Sequence, residues 1–128
     1  MRKSIENLTG RKYTGGRIFP LRGRRKYEID RYPNEAILGN VDIVTRRTRG
    51  NNIKSAIKTV DFASVTDSKS KKVIKSKILQ VSKNPANKDY ERRGVISKGA
   101  ILETEVGLAK VVSRPGQEGT VNAVLLNQ

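Results

Sequence analysis

The sequence predicts an all-β protein: a small β-barrel-like body with a flexible basic N-terminal arm and one short helix. Two observations favour this fold class. From residue 36 onward, short segments rich in β-branched residues alternate with turns, as in small barrels and sandwiches. Before that point, the chain is basic, interrupted by glycines and poor in large aliphatic residues. Because 128 residues leave room for one domain, we assign 1–35 to the arm and 36–128 to the body.

The arm holds much of the excess charge. Residues 1–31 contain ten Lys and Arg against three acids. A segment of low hydrophobicity and high net charge buries too little apolar surface to offset the entropy lost on ordering. We therefore expect the arm to be flexible in the isolated protein and to become ordered on its partner.

The strands of the body are predicted from branched and alternating segments. In residues 53–60, Lys54 and Lys58 share one face and Ile53 and Ile57 the other, as in a half-buried strand. Residues 66–70 are typical of a turn, and 114–119 contain a Pro-Gly turn signal. The other predicted strands are 41–45, 72–82, 100–106, 108–113 and 120–126. The expected core is Val41, Ile43, Ile53, Ile57, Ile78, Val81, Ile101, Leu102, Val111, Val121 and Leu125.

One short helix is predicted within residues 84–94. This segment begins with polar residues, carries acids in its middle, and ends with Arg92 and Arg93 before Gly94. Basic side chains in the last turn and a following glycine are typical of a helix C-terminus.

The charge balance indicates an anionic partner. The chain has 27 Lys and Arg against 12 Asp and Glu, a net charge of +15 and a pI near 10.5, so the isolated protein repels itself and we expect it to be monomeric. It has no Trp and no basic helix with an apolar face, which disfavours a membrane surface. Nucleic acid is the favoured partner.

The missing residue types limit the chemistry. Without Cys or His, the chain has no disulfide, no thiolate metal ligand and no histidine base, so we expect no cofactor, no metal and no enzymatic activity. The N-terminus lacks the apolar core of a signal peptide, and no apolar run of 18 residues occurs. These features predict a cytoplasmic protein.

The first candidate RNA-binding cluster lies in the arm, where Arg, Gly and Tyr are interleaved. Guanidinium forks pair with phosphate oxygens, and tyrosines can stack on unstacked bases. The alternative interpretation is a solvated basic tail or a localisation-like basic run. The cluster consists of Arg11, Lys12, Tyr13, Gly15, Gly16, Arg17, Arg22, Arg24, Arg25, Lys26, Tyr27 and Arg31.

A second cluster, Arg46, Arg47 and Arg49, lies between two predicted strands. We expect it to form a hairpin loop that reaches a groove or bulge of RNA; a solvated turn is the alternative. A third set, Lys69 to Lys77, includes Lys71, Lys75 and Lys77, which would share a strand face. Lysines on an outer strand also discourage aggregation, so here the two interpretations are equally supported. The predicted RNA-binding set is completed by Lys54, Arg93, Lys98 and Arg114.

Two further patterns carry little weight. Gly15 and Gly16 lack the spacing of a phosphate-binding loop. Glu103 and Glu105 would lie on one face of a strand, and paired carboxylates can be catalytic. With no His, Cys or nearby Asp, they are better interpreted as outward-facing residues or as partners of Lys98 or Lys110.

Several segments, taken in their order along the chain, match a known family. They include Thr-Gly-Arg-Lys-Tyr-Thr-Gly-Gly-Arg at 9–17 and Thr-Arg-Arg-Thr-Arg-Gly at 45–50. The other matching segments are 26–31, 84–87, 93–96, 98–105, 113–119 and 122–125. In these segments the chain resembles the archaeal and eukaryotic ("e" type) family of small-subunit ribosomal protein eight. Asn51 departs from the family pattern, standing where a second glycine is expected; asparagine tolerates a positive φ better than most residues.

The resemblance implies a β-barrel-like body with a basic extension that binds small-subunit ribosomal RNA beside neighbouring small-subunit ribosomal proteins. The short chain is similar to archaeal members, since the eukaryotic ones carry a large insertion. Two alternatives stay open: a ribosome-assembly factor that shares the same RNA-binding domain, and a non-specific nucleic-acid-compacting protein.

Overall fold

The structure is a computed structural model that describes residues 11–19, 22, 25, 27 and 33–126. The described residues divide into two compact units between Pro33 and Asn34. Most of the predicted arm lies outside the described residues, so its flexibility stays a prediction. The elements of the second unit are β1 (Ala36–Leu38), β2 (Asp42–Arg47), β3 (Ile53–Val60), β4 (Phe62–Asp67), β5 (Lys72–Lys83), α1 (Lys88–Arg92), β6 (Val95–Ile96), β7 (Ile101–Thr104), β8 (Gly107–Val111), α2 (Pro115–Glu118) and β9 (Asn122–Leu125).

The predicted all-β class is confirmed, and the barrel closes. Strands β4, β5, β7, β8 and β9 form the closed barrel, in which β9 returns to pair in parallel with β4. A second sheet has the order β2-β3-β1-β6. Closing a sheet removes the exposed edges that would otherwise offer unpaired backbone groups to other chains.

The barrel interior is filled mainly by small and β-branched residues. Ala63 and Val65 of β4 are buried. Phe62, the first residue of the strand, lies on its opposite face and is exposed, as period-2 alternation requires. Five strands enclose a narrow space, which explains why alanines of three strands meet there. The buried barrel residues are Ala63, Val65, Ser76, Ile78, Leu102, Thr104, Ala109, Val111 and Ala123.

The predicted core is confirmed in part. Ile57, Ile78, Leu102, Val111 and Val121 are buried. Two more predicted members, Val81 and Leu125, are partly buried against this cluster, and Ile101 is half-buried.

The core prediction is wrong for three residues, because the exposed fractions of Val41, Ile43 and Ile53 are 56%, 47% and 70%. Ile43 lies on β2, the edge strand of its sheet, and Val41 immediately precedes that strand. Ile53 is the first residue of β3, beside the hairpin tip. Branched side chains predict strand conformation at such positions, but they do not tell a central strand from an edge.

The predicted turn at 66–70 is displaced, because β4 extends through Asp67 and pairs with β5. Asp67 holds the turn that follows: its carboxylate accepts hydrogen bonds from Lys69 N (2.9 Å) and Ser70 Oγ (2.8 Å). These bonds lower the pKa of Asp67, the Lys69 amide being the largest cause. Lys71 lies in the turn with φ +53 and not in the strand, so the predicted shared face reduces to Lys75 and Lys77.

The predicted helix is confirmed as α1, where the Asn87 side chain accepts from Asp89 N at 2.9 Å as the N-cap. A second helix, α2, replaces the predicted Pro-Gly turn, so the expectation of a single helix is wrong. Pro115 begins α2 and Gly119 ends it at φ +75; a proline start and a left-handed glycine end suit a one-turn helix as well as a turn. The helix packs on β3.

Buried Asn84 ties α1 to the second sheet. Its Nδ2 donates to Val95 O at 2.8 Å, and its Oδ1 accepts from Ser97 Oγ at 3.0 Å. Its backbone N–H donates to Glu91 Oε2 at 3.1 Å.

No helix in the described part of the chain combines the length and apolar character needed to cross a bilayer.

Candidate nucleic-acid interface

The first predicted cluster contains a small closed hairpin in the N-terminal unit. Arg11 and Arg17 form an antiparallel bridge, Lys12 N donates to Gly16 O at 2.9 Å, and Gly15 N donates to Lys12 O at 2.9 Å. Gly15 has φ +83, the left-handed conformation that a three-residue hairpin loop requires at this place. The arginines of the bridge are therefore neighbours, and both are exposed.

Tyr13 occupies the tip of this hairpin and is fully exposed. One guanidinium also stabilises the turn, since Arg11 Nη1 donates to Gly15 O at 2.9 Å. The tip therefore presents an exposed aromatic ring, as the stacking hypothesis requires. Arg22, Arg25 and Tyr27 are exposed as well. The predicted site residues Arg24, Lys26 and Arg31 lie outside the described residues.

The second predicted cluster is built into the two-stranded hairpin of β2 and β3. The sequence predicts that Arg46 and Arg47 lie in a loop. This prediction is wrong, because β2 continues to Arg47 and includes both residues. The connection is thus only residues 48–52, closed by Thr48 N donating to Asn52 O at 2.7 Å. The arginines are held by a backbone ladder that runs to the base of β3.

Strand alternation sends the two arginines to opposite faces of this hairpin. Arg46 is in register with Lys54, and Arg47 is in register with Ile53. Arg46 is half-buried and Lys54 is exposed. Neither forms an ion pair within residues 33–126. Two like charges therefore lie side by side on one face without a carboxylate between them.

The tip of the hairpin is a tight turn at Arg49–Asn51. Gly50 and Asn51 both have positive φ, +69 and +62, so Asn51 adopts here a backbone conformation that asparagine tolerates better than most residues. Asn52 Nδ2 donates to Arg49 O at 3.2 Å and helps to close the turn. Arg49 is exposed at this tip.

Arg93 stands apart from the other predicted site residues because carboxylates engage its guanidinium. Nη1 and Nη2 donate to the two oxygens of Glu35 at 2.6 and 3.0 Å, and Nε donates to Asp89 at 2.9 Å. These bonds lower the pKa of Glu35 and raise that of Arg93. The planar fork joins residue 35 to the end of α1, so its geometry is that of a structural link.

Lys98 and Arg114 are exposed at the ends of elements. Lys98 lies in the turn between β6 and β7, where Ala100 N donates to Ser97 O at 3.1 Å. Arg114 directly precedes α2. Glu103 accepts a hydrogen bond from Gln80 and forms no ion pair with Lys98 or Lys110 in the described part of the chain.

One aromatic-and-lysine pair was missed at the sequence level. Lys75 Nζ of β5 lies 4.6 Å from the ring centroid of Phe62 of β4, and Lys77 is in register with Phe62. The sequence pattern singles out the two lysines but not Phe62, because Thr66 and Asp67 are typical of a turn and obscure strand β4. A period-2 pattern of Ala63 and Val65 against Ser64 and Thr66 was the available signal.

Comparisons with known proteins agree with the resemblance found in the sequence. The model of the ribosomal protein S8e family matches residues 6–126. The small ribosomal subunit protein eS8 of Methanocorpusculum labreanum is 47% identical over 116 residues, covering 91% of this chain and 93% of the relative. Its counterparts in Sulfurisphaera tokodaii and Sulfolobus acidocaldarius are 46% and 44% identical over 119 residues, each covering 92% of this chain and 93% of the relative. The chain therefore belongs to the S8e family of ribosomal proteins, of the archaeal type.

Proposed function

We propose that the protein is a structural constituent of the small ribosomal subunit that binds and bridges segments of small-subunit ribosomal RNA through arginine and lysine contacts to phosphates. Relatives named as small ribosomal subunit proteins support this role. As a member of a ribosomal protein family, the chain is not an enzyme. The protein would bring together RNA segments whose phosphate backbones repel each other. This requires cationic side chains that are held at fixed spacing.

The observation that carries the proposal is the cross-strand pair of Arg46 and Lys54. Like charges directly opposite each other in a sheet destabilise the free protein, and no described carboxylate relieves this pair. A phosphate placed between the two side chains would accept charge-assisted hydrogen bonds from both. The rigid ladder beneath them keeps their spacing, so little side-chain and backbone freedom is lost on binding.

Each unit contributes its own cations. This supports a protein that bridges several RNA segments and not one that binds a single segment. In the N-terminal unit, Arg11 and Arg17 form the bridge that closes the hairpin, and Tyr13 is exposed at its tip. In the second unit, Arg47 and Arg49 extend the basic surface of the β2–β3 hairpin to its other face and its tip. Arg93 is left out of the proposed RNA-binding surface, because Glu35 and Asp89 already accept its hydrogen bonds.

The partners follow from this role. The protein would reside in the cytoplasm on the ribosome, in contact with ribosomal RNA and with neighbouring small-subunit ribosomal proteins. The free chain would be monomeric, because a net charge of +15 opposes self-association.

Crosslinking in purified small subunits tests the proposal. Protein–RNA adducts are expected in the hairpin of residues 11–17 and in the tip of the β2–β3 hairpin, and they should map to separate segments of the small-subunit RNA. Adducts restricted to one RNA segment would contradict bridging, and a chain absent from purified subunits would contradict the role itself. Competition with duplex DNA separates it from a general compacting protein, since structured small-subunit RNA should compete far better.

A further inference from the structure

A cleft of about 250 Å³ opens beside the barrel wall, entirely within the second unit. One side is formed by Val41 and Ile43 at the edge of the second sheet, and the other by Phe62 and Lys75 on the outer face of β4 and β5. Its floor is the buried core, including Ile57. The exposure of Val41 and Ile43, contrary to the predicted core, is what leaves the cleft open.

The rim of the cleft combines an aromatic ring with cations. Lys75 Nζ lies over the Phe62 ring at 4.6 Å, and Lys77, in register with Phe62, projects from the same outer face. Within residues 33–126, neither lysine pairs with a carboxylate. Asp42, next to the cleft in the sequence, is already paired with Lys58 at 3.2 Å. Lys75 and Lys77 therefore make the side of the rim formed by β4 and β5 positive.

The occupant of such a cleft must be small, flat and joined to negative charge. The volume lies below the roughly 300–1,000 Å³ of pockets for drug-sized ligands, which suits a single ring or side chain. An apolar side chain from a neighbouring protein would use the walls but not the lysines. A nucleobase would use both, because its face stacks on the aromatic ring while its phosphates reach the ammonium groups.

We infer that this cleft receives one unstacked nucleobase of ribosomal RNA, stacked on Phe62, with Lys75 and Lys77 contacting the adjoining phosphates. The hydroxyl groups of Ser64 and Thr120, which also line the cleft, offer hydrogen bonds to the edge of the base. The inference rests on the proposed function and adds a third contact surface, on the wall of the barrel. Lys75 leaves the ring face when the base enters and turns to the phosphate.

The test uses the full chain with two RNA probes of equal length, a single strand and an A-form duplex. Phe62→Leu should weaken binding of the single strand by about tenfold, because base–aromatic stacking is lost, and should leave binding of the duplex unchanged, because its bases are already stacked. Phe62→Tyr should bind both probes as the wild type does. Val112→Ala, which truncates an exposed residue outside the cleft, is the matched control.

Equal affinity of Phe62→Leu and wild type for the single strand would overturn the inference and favour a protein occupant. An equal loss on single strand and duplex would overturn it as well. If the wild type bound neither RNA, both the proposed function and the inference about the cleft would be contradicted. This outcome differs from failure of the inference alone, because it is seen with the wild type and needs no variant. Ultraviolet irradiation of the wild-type complex gives an answer independent of how the variants fold: a base adduct is expected in the tryptic peptide 59–69, and its absence would overturn the inference.

Discussion

Arg46 and Lys54 lie directly opposite each other on adjacent antiparallel strands, although both side chains are positively charged. Such a pair is unfavourable by roughly 0.2–1 kcal/mol relative to a neutral pair. No carboxylate among the described residues forms an ion pair with either side chain. The repulsion is thus a small cost to the stability of the isolated protein, and under the proposed function a bound phosphate would relieve it.

Removing one charge of this pair should change stability and binding in opposite directions. Lys54→Gln is expected to raise the free energy of unfolding by about 0.2–1 kcal/mol, since the repulsion from Arg46 disappears. The same change should make the slope of log K against log salt shallower by about 0.7–0.9, the loss of one phosphate contact. Lys58→Gln is the control, because Lys58 is already paired with Asp42 at 3.2 Å. Unfolding in urea and RNA titrations measure both effects; a destabilised Lys54→Gln protein would contradict this account of the pair.

Deleting residues 1–32 should leave a folded body with weak RNA binding. Among the residues that the structure describes, the buried core runs from Ala36 to Ala123, with Leu125 packed against it, so the truncated chain should keep a cooperative thermal transition. Its affinity for small-subunit RNA should fall by more than about tenfold at physiological salt, because ten of the 27 cationic side chains lie in residues 1–31. Circular dichroism and RNA titration check the two halves of this prediction. Loss of the β signal on truncation would show that the first unit is needed for folding.

Gly119 should tolerate no side chain, because α2 meets β3 at this point. A Cβ there would lie 2.6 Å from Ser55 Cβ, and the backbone has φ +75. Gly119→Ala should therefore cost about 2–4 kcal/mol, the sum of left-handed strain and overpacking. Gly94→Ala has similar strain at φ +63 but open space around the new Cβ, so about 1–2 kcal/mol is expected. Ser55→Gly should recover part of the loss in the Gly119→Ala protein; equal costs at the two glycines would disprove the close approach.

The ion pair of Glu35 and Arg93 should make stability depend on pH in the acid range. Hydrogen bonds from Arg93 lower the pKa of Glu35 from its ordinary value of 4.5. A carboxylate with a lowered folded-state pKa contributes stability that is complete above the ordinary pKa and is lost as the pH falls through the folded value. The difference in melting temperature between wild type and Glu35→Gln should thus be constant from about pH 8 to about pH 5 and shrink below 4.5.

Arg93→Gln supplies the control for this experiment. In an Arg93→Gln background, Glu35→Gln should no longer produce a difference that varies with pH, because the partner that lowers the pKa is missing. A difference that persisted unchanged to low pH would show that the pair contributes through packing and not through charge.

Much of the fold could be predicted because its signals are local. The long strand β5 and the final strands β8 and β9 are bounded by turn residues and rich in branched side chains, and α1 has its own cap and stop. The sequence does not predict strand β4, because Thr66 and Asp67 are residue types common in turns. Only their pairing with β5 shows that they belong to a strand. Whether Ile43 and Ile53 are buried depends on which strand forms the sheet edge, which is a property of the assembled fold.

The candidate site was predictable in composition but not in arrangement. Clusters of arginine and tyrosine are visible in the sequence, whereas the pairing of Arg46 with Lys54 depends on the register of β2 and β3. Arg93 looked equivalent to the other arginines because its partner Glu35 is 58 residues away. Phe62 and Lys75 likewise meet only when β4 pairs with β5.

The most direct test of the central claim is a titration of the wild-type chain with small-subunit ribosomal RNA at several salt concentrations. If about eight phosphates are neutralised, log K should fall linearly with log salt at a slope of about −6 to −7, between the coefficients for duplexes and single strands. A slope near zero would mean that the gathered cations do not bind the phosphate backbone, and it would contradict the account.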